Sequence, residues 1–229
     1  MTYVVSDLHG NLEKFQKLLV EIGFTDDDVL YVLGDIVDCG EEPIALLCDL
    51  SMRFNVLPIV GEHDYRALRM LTALDRMLRD GGKPDAEIMG EMMQWIGEGG
   101  QKTMEDFKAL DEEMREGVLE YLSDMALYEE VTVGGRKYLL VHAGIEGFSP
   151  DTPLDEYMPE DFIGEPLDME REYFEDVTVI VGHVPADSLP DADPGMIYYG
   201  EGSINVDCGL EFGGRLGCLC LDNGKEYYV

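Results

Sequence analysis

The chain has 229 residues, enough for one domain with a well-buried core, and its 45% hydrophobic content argues against a disordered protein. Sixteen Lys and Arg residues against 49 Asp and Glu residues give a net charge of −33, which repels nucleic acid and anionic membranes and argues against both as partners. The N-terminus lacks a basic, apolar leader, no run is long enough to span a membrane, and the five cysteines show no zinc-site spacing. We therefore expect a cytoplasmic protein with reduced thiols.

The first third of the chain alternates short apolar runs with helical patterns. Runs that predict buried strands occupy 3–5, 29–33 and 56–60. Between them, a one-sided apolar stripe predicts a helix over 11–22 that ends at Gly23, and a second helix is predicted over about 42–54. This alternation indicates a parallel sheet covered by helices, in which ligands collect beyond the carboxyl ends of the strands.

The middle of the chain, from about 65 to 127, has a helical pattern broken at 81–84 and 97–100, and we expect a helical insertion there. Gly134-Gly135 then predicts a hairpin, and the acidic, Pro-containing stretch 148–168 predicts a surface loop. Further strands are predicted at 177–183, 203–207, 215–221 and 225–229. Asp222-Asn223-Gly224 predicts a hairpin between the last two, and Cys218 and Cys220 alternate and are expected on one face of their strand. No repeat or linker divides the chain, so we expect one domain over 1–229.

Histidines and carboxylates cluster at the ends of the predicted strands. Each of the four histidines follows an apolar run and has a glycine within two positions: His9, His63, His142 and His183. Asp7 lies two residues before His9, Asp35 ends a strand, and Asp38 follows on the turn. Taken alone, Asp35 fits an ordinary turn. Four histidines at strand ends are harder to attribute to chance, and together with the carboxylates they predict a metal site.

Five motifs occur in the order Asp-x-His-Gly, Gly-Asp-x-x-Asp-x-Gly, Gly-x-His-Asp, Val-His-Ala-Gly and Gly-His-x-Pro. This set resembles the calcineurin-like metallophosphoesterases, and within them the phosphoprotein phosphatase branch, especially its small bacterial and phage members. The resemblance implies an α/β fold, a two-layer β-sandwich flanked by helices, with a centre for two divalent metal ions. It runs from Tyr3 to His183, and the tail around Asp207 and Gly213-Gly214 is also similar to that branch.

The resemblance also implies the roles of individual residues. One ion would have as ligands Asp7, His9 and Asp35. The other would have as ligands Asp35, Glu62, His142 and His183. Asp35 would bridge the two ions, and His63, oriented by Asp38, would be the general acid while a metal-activated hydroxide attacks phosphorus. Mn²⁺ is the expected ion, with Fe or Zn²⁺ as alternatives, because carboxylates and imidazoles suit these ions better than Ca²⁺.

The sequence departs from the family pattern at three positions. Glu62 stands where the family has Asn, which adds negative charge beside the metals. Cys39 and Val60 stand where this branch often carries phosphate-binding arginines, so the arginine clamp is depleted. Arg171 is the candidate for a remaining phosphate contact, with an ordinary surface arginine as the alternative.

We expect a metal-dependent phosphoesterase that hydrolyses phosphomonoesters, with phospho-Ser/Thr proteins or small phosphoesters as substrates. The motif set also resembles symmetrical dinucleoside-tetraphosphate hydrolases, which gives a second hypothesis on the same scaffold. A third is a metal-binding regulatory module with weak catalysis, and it rests on the substitutions at Glu62 and Cys39.

Overall fold

Two five-stranded sheets form the centre of the computed structural model, which describes residues 1–82 and 85–229. The strands of the first sheet are β1 (Thr2–Val5), β2 (Val29–Leu33), β3 (Val56–Ile59), β9 (Gly217–Cys220) and β10 (Glu226–Tyr228). Their order is β10-β9-β1-β2-β3. The three N-terminal strands are parallel to one another, whereas β9 is antiparallel to both of its neighbours.

The second sheet is also mixed. Its strands are β4 (Tyr128–Val133), β5 (Arg136–Val141), β6 (Val177–Val181), β7 (Tyr198–Tyr199) and β8 (Ser203–Asn205), in the order β4-β5-β6-β8-β7. Strands β5, β6 and β8 are parallel. A buried apolar cluster joins the sheets, with Val4 and Leu33 from the first and Leu140 and Ile180 from the second. The expected two-layer β-sandwich is thus confirmed.

Helices pack on the outer faces of the sandwich. They are α1 (Leu12–Ile22), α2 (Pro43–Ser51), α3 (Glu62–Asp80), α4 (Ala86–Trp95), α5 (Gln101–Ala109) and α6 (Glu112–Ser123). α1 forms as its pattern predicts, because Phe15 and Leu18 on its apolar face are buried and Gly23 ends it at a φ of +66°. Among the residues described, no helix is long and apolar enough to cross a membrane.

The helical insertion is confirmed, but it begins at Glu62 and not near residue 65. The reason is local: the Asp64 carboxylate accepts a hydrogen bond from the Gly61 amide at 3.1 Å, which caps the helix directly after β3. A kink within Ile96–Gly100, where Gly99 has a φ of +110°, joins α4 to α5 at the predicted break. Of the other predicted break, Lys83 and Pro84 lie outside the described residues.

The predicted hairpins at Gly134-Gly135 and at 222–224 are both present, and 148–168 is a loop with two short 3₁₀ turns. Strand β7 was not predicted from the sequence, because its two residues are too few for an alternating pattern. Cys218 and Cys220 point to the same face of β9, as expected, and both are buried in the core beneath the helices.

We predict that Phe15→Ala lowers the free energy of unfolding by about 3–5 kcal/mol, because the Phe15 ring is fully buried and its removal leaves a cavity. The matched control is Phe54→Ala, since Phe54 is 77% exposed and should change stability by less than about 0.5 kcal/mol. Urea denaturation followed by circular dichroism measures both. Equal losses in the two variants would contradict this description of the core.

Candidate metal centre

The predicted ligands follow the carboxyl ends of four strands. Asp7 follows β1, Asp35 follows β2, His142 follows β5 directly, and His183 comes two residues after β6. Since these strands end at one edge of the sandwich, residues up to 176 positions apart become neighbours, as shown by the hydrogen bond at 3.0 Å from the His183 amide to the Asp7 carboxylate.

Two groups of side chains have the spacing of a metal site. In the first group, one ligand atom from each residue lies within 4.8 Å of the others: Asp7, His9 and Asp35. The second group meets the same limit with Asp35, His142 and His183. Asp35 belongs to both groups, and its side chain is almost fully buried. The structure therefore brings together five of the six predicted metal ligands around one shared carboxylate.

The backbone at this edge adopts conformations that are costly for residues with a side chain. Asp7, His9, Asp35 and His183 all have φ between +40° and +68°. Backbone hydrogen bonds hold these turns together, including one from the His9 amide to the Asp35 carbonyl at 2.9 Å. The backbone at Gly61 also passes so close to Asp35 that only glycine fits, since a Cβ on Gly61 would lie 2.3 Å from the Asp35 amide nitrogen and carboxylate. Such strain persists only where the surrounding structure over-determines it.

The chemistry of the donor atoms fits divalent cations. His142 Nδ1 lies 2.6 Å from the Leu33 carbonyl oxygen, and His142 Nε2 is buried without a hydrogen-bond partner, 3.5 Å from an Asp35 oxygen. Burial lowers the pKa of His142, so its ring is neutral, with the proton on Nδ1 and a free lone pair on Nε2. Burial, followed by repulsion from Asp207 and Asp35, raises the pKa of Asp7. A cation between these groups would relieve both costs.

A second feature of the site is the pair formed by His63 and Asp38. His63 Nδ1 lies 2.9 Å from the Asp38 carboxylate, which also accepts hydrogen bonds from Trp95 Nε1 at 2.7 Å and Thr103 Oγ1 at 2.6 Å. Burial alone lowers the pKa of His63, but the hydrogen bond with Asp38 and the charge of Asp35 outweigh it and raise that pKa to about 9. His63 is therefore protonated at neutral pH and can donate a proton.

Most of the predicted site residues line a cavity of about 120 Å³, although His142 and Asp38 do not. Its lining includes Asp7, His9, Asp35, Glu62, His63, His183, Asp207 and Glu211. Glu62 lines the cavity but belongs to neither 4.8 Å group, so its role as a ligand stays a prediction. Arg171 is not among the lining residues; its guanidinium lies 4.8 Å from the centre of the Tyr173 ring, and its contact with substrate also stays a prediction.

Three carboxylates of the site were not assigned roles from the sequence. Asp64 is fully buried and accepts hydrogen bonds from the amides of Ile36 at 3.0 Å and Val37 at 3.2 Å, which holds the turn after Asp35. The Gly-x-His-Asp motif contained that signal. Asp207 lines the cavity, and a Glu211 oxygen lies 3.6 Å from His9 Nε2. Only the tertiary structure reveals these last two contacts, because both residues come from the C-terminal tail.

Comparison with known proteins yields a consistent set of relatives. A family model described as calcineurin-like phosphoesterase matches residues 2–215. A symmetrical bis(5'-nucleosyl)-tetraphosphatase of Acidovorax ebreus is 31% identical over 146 residues, which cover 62% of this chain and 43% of the relative. An uncharacterized protein of Methanocaldococcus jannaschii is 26% identical over 211 residues, 90% of this chain and 71% of that protein. The matched part of the chain spans less than half the length of the tetraphosphatase.

Among solved structures, that of a candidate diadenosine tetraphosphatase superposes with a TM-score of 0.66 and 18% identity. The superposition covers the whole of this chain and 92% of the other. At this identity the likeness concerns the fold alone.

We predict that Asp38→Asn lowers the pKa of His63 from about 9 towards or below its ordinary value of 6.5, because the neutral amide no longer favours the imidazolium. By linkage, the raised pKa contributes stability that is fully present below about pH 6.5 and is lost as the pH rises through about 9. The variant should lack this pH-dependent contribution.

NMR titration of the chelator-treated protein measures this pKa, with His63→Gln assigning the resonance. Asp27→Asn, an exposed residue in the turn before β2, is the matched control and should leave the pKa unchanged. An unchanged His63 pKa in Asp38→Asn would contradict the assignment of the pair.

Proposed function

Because the chain belongs to the calcineurin-like phosphoesterase family, we propose that it hydrolyses phosphoric esters or anhydrides with two divalent metal ions. The observation that carries this proposal is the sharing of Asp35 between two three-residue ligand groups, with His63 beside them. Cleavage at phosphorus needs this arrangement, because charge develops on the attacking and the leaving oxygens at once.

The ligand assignment follows the two groups. Asp7, His9 and Asp35 would hold one ion. Asp35, His142 and His183, with Glu62 beside them, would hold the other. When bound, the ions would supply positive charge to the phosphate oxygens and the acidity that makes water nucleophilic near neutral pH. Mn²⁺, Fe and Zn²⁺ all suit this mixture of imidazole and carboxylate.

The remaining chemistry belongs to the chain itself. His63, with its Nδ1 held by Asp38, presents Nε2 to the cavity and would donate its proton to the leaving oxygen as the bond to phosphorus breaks. Asp38 is a positioning residue: its own hydrogen bonds from Trp95 and Thr103 fix its carboxylate and, through it, the ring of His63. In the products the oxygen of water is bound to phosphorus, and the leaving group carries the proton.

The substrate class we favour is the dinucleoside polyphosphates, cleaved symmetrically to two nucleoside diphosphates. Two observations support it: the name of the Acidovorax relative, and a second cavity of about 280 Å³ that shares Glu62 with the metal centre. Arg66, Arg69 and Tyr65 line this second cavity. Arg66 is paired with Glu98 and Arg69 with Glu91, so a polyphosphate chain would take the place of these carboxylates on the two guanidinium groups. The Tyr65 ring, whose hydroxyl contacts Glu160, would stack on a base.

The metal-reconstituted protein should be assayed on an aryl phosphate, a phosphoserine peptide and a symmetrical dinucleoside tetraphosphate. We expect the highest kcat/KM on the tetraphosphate, with nucleoside diphosphate as the only nucleotide product. A preference for the phosphopeptide would replace this substrate class with phosphoproteins. Absence of turnover on all three, with two ions bound per chain, would overturn the proposal in favour of a regulatory metal-binding module.

We predict that His63→Ala retains both ions but lowers kcat by about 10²–10⁴-fold, because it removes the acid and no ligand. The loss should be smaller for an aryl phosphate than for an alkyl phosphate, since an acidic leaving group needs less protonation. Elemental analysis and steady-state kinetics measure the two effects. Asp35→Asn is the opposing control and should lose both ions. Loss of both ions from His63→Ala would refute its assignment as the acid.

We predict that Glu62→Asn keeps or raises kcat, because the neutral amide adds no negative charge beside the ions and repels the phosphate less. Glu120→Asn, an exposed residue on α6, controls for the general effect of removing one acid from this acidic chain. Both variants are compared with the wild type at a fixed Mn²⁺ concentration. A large fall in kcat confined to Glu62→Asn would show that its carboxylate has a role of its own.

A further inference from the structure

A cysteine and two histidines meet beside the metal centre, and of the three only His9 belongs to a ligand group assigned above. The Cys39 sulfur and one ring nitrogen each from His9 and His63 lie within 4.8 Å of one another. Within residues 1–82 and 85–229, Cys39 is the only cysteine that belongs to such a group. Neither Cys39 nor His63 has a role in holding the two ions.

The thiol is held in place by its surroundings. Cys39 has a φ of +60°, and its amide donates a hydrogen bond to the Gly99 carbonyl at 3.1 Å. Gly99 in turn makes room for the thiol, because a Cβ at that position would lie 2.5 Å from the Cys39 sulfur. The turn after β2 and the kink between α4 and α5 thus fix the thiol beside the cavity.

The histidine of this cluster is already oriented as a metal ligand. His63 Nδ1 is engaged by the Asp38 carboxylate at 2.9 Å, which leaves Nε2 as the free ring nitrogen. A carboxylate on the far nitrogen is the usual second partner of a metal-binding histidine, since it fixes the tautomer and raises the basicity of the ligand. The same pair that suits proton donation therefore also suits cation binding.

We propose that His9, Cys39 and His63 form an alternative site for one borderline-soft divalent cation such as Zn²⁺, with Glu211 as the fourth ligand. A Glu211 oxygen lies 3.6 Å from His9 Nε2, and thiolate, imidazole and carboxylate are the ligands that zinc takes in tetrahedral sites. With bonds of about 2.0–2.3 Å, tetrahedral ligands lie about 3.3–3.8 Å apart, so shifts of roughly 1 Å would complete the site.

Occupation of this site excludes the two-ion arrangement. His9 belongs to both sets of ligands, and a cation on His63 Nε2 removes the group that would protonate the leaving oxygen. Zn²⁺ binds nitrogen and sulfur ligands more tightly than Mn²⁺ does, so zinc displaces manganese from His9. The thiol proton is released to water when the sulfur binds. This inhibitory consequence rests on the proposed function, whereas cation binding itself does not.

Cobalt absorption tests the binding step without any substrate. Co²⁺ titrated into the full chain in the presence of Mn²⁺ should produce a near-ultraviolet thiolate-to-cobalt band that saturates at one Co²⁺ per chain. The two-ion centre contains no sulfur ligand, so only the proposed site can give this band. Cys39→Ser should abolish it, and Cys48→Ser, the matched cysteine control, should retain it. A wild-type chain without the band, or a band that persists in Cys39→Ser, overturns the site.

Alkylation provides a measurement that needs no variant. Burial and the neighbouring Glu211 raise the pKa of the Cys39 thiol, so iodoacetamide should modify this exposed side chain slowly, and Zn²⁺ but not Mg²⁺ should slow the modification further. Modification at an equal rate with and without Zn²⁺ would overturn the site even if Cys39→Ser failed to fold.

Zinc inhibition tests the consequence. Zn²⁺ added to the Mn²⁺-loaded enzyme should inhibit turnover. Cys39→Ser should raise the Zn²⁺ concentration for half-inhibition by at least about tenfold, because loss of a residue that only hydrogen-bonds a metal ligand already lowers metal affinity by about tenfold or more. Equal midpoints in both proteins would overturn the inhibitory role. An enzyme without turnover would refute the proposed function but leave the cobalt band and the alkylation to decide the site.

Discussion

The shared carboxylate of Asp35 is the constraint on which the rest of the centre depends. Asp35 is buried just after β2, and its backbone has a φ of +50°. The neighbouring residue must be glycine, because a Cβ on Gly61 would lie 2.3 Å from the Asp35 carboxylate. Its Oδ1 atom accepts a hydrogen bond from the His63 amide at 2.9 Å and lies 3.5 Å from His142 Nε2. Strand β2 supplies this carboxylate, and β1, β5 and β6 each bring a further side chain to it. These four strands, from two sheets, must therefore end at the same edge. The sandwich fold satisfies that requirement through its parallel strands.

The helical insertion contributes side chains to the site, whereas its sequence pattern predicted helices without assigning them any contact there. Trp95 and Thr103 donate hydrogen bonds to both oxygens of Asp38, and Asp38 in turn holds His63. Gly99, in the same segment, packs against the Cys39 thiol. The packing of the insertion thus fixes two side chains on the turn after β2: the Asp38 carboxylate, which orients the His63 ring, and the Cys39 thiol.

The electrostatics of the site reflect the departures from the family pattern. Cys39 and Val60 leave the centre without the arginines expected there, while Glu62 and Glu211 add carboxylates to its cavity. In the function proposed above, phosphate binding would then rely on bound cations and on the guanidinium groups of the neighbouring cavity. If the proposed thiol-containing site binds zinc, the identity of the metal would decide whether the centre is active. Hard and soft cations would use different ligands from one set of residues.

Much of the centre was determined by the sequence itself. Glycine, aspartate and histidine at the ends of apolar runs indicated the sheet edge, and five ordered motifs indicated the family, because turn chemistry and strand patterns are local properties. Local patterns could not reveal Trp95 and Thr103 on Asp38, Glu211 beside His9, or Arg66 in the adjoining cavity. The contacts of Trp95, Thr103 and Glu211 join residues 57 to 202 positions apart in the sequence, and only the packing of the insertion and the tail against the strand ends brought them together.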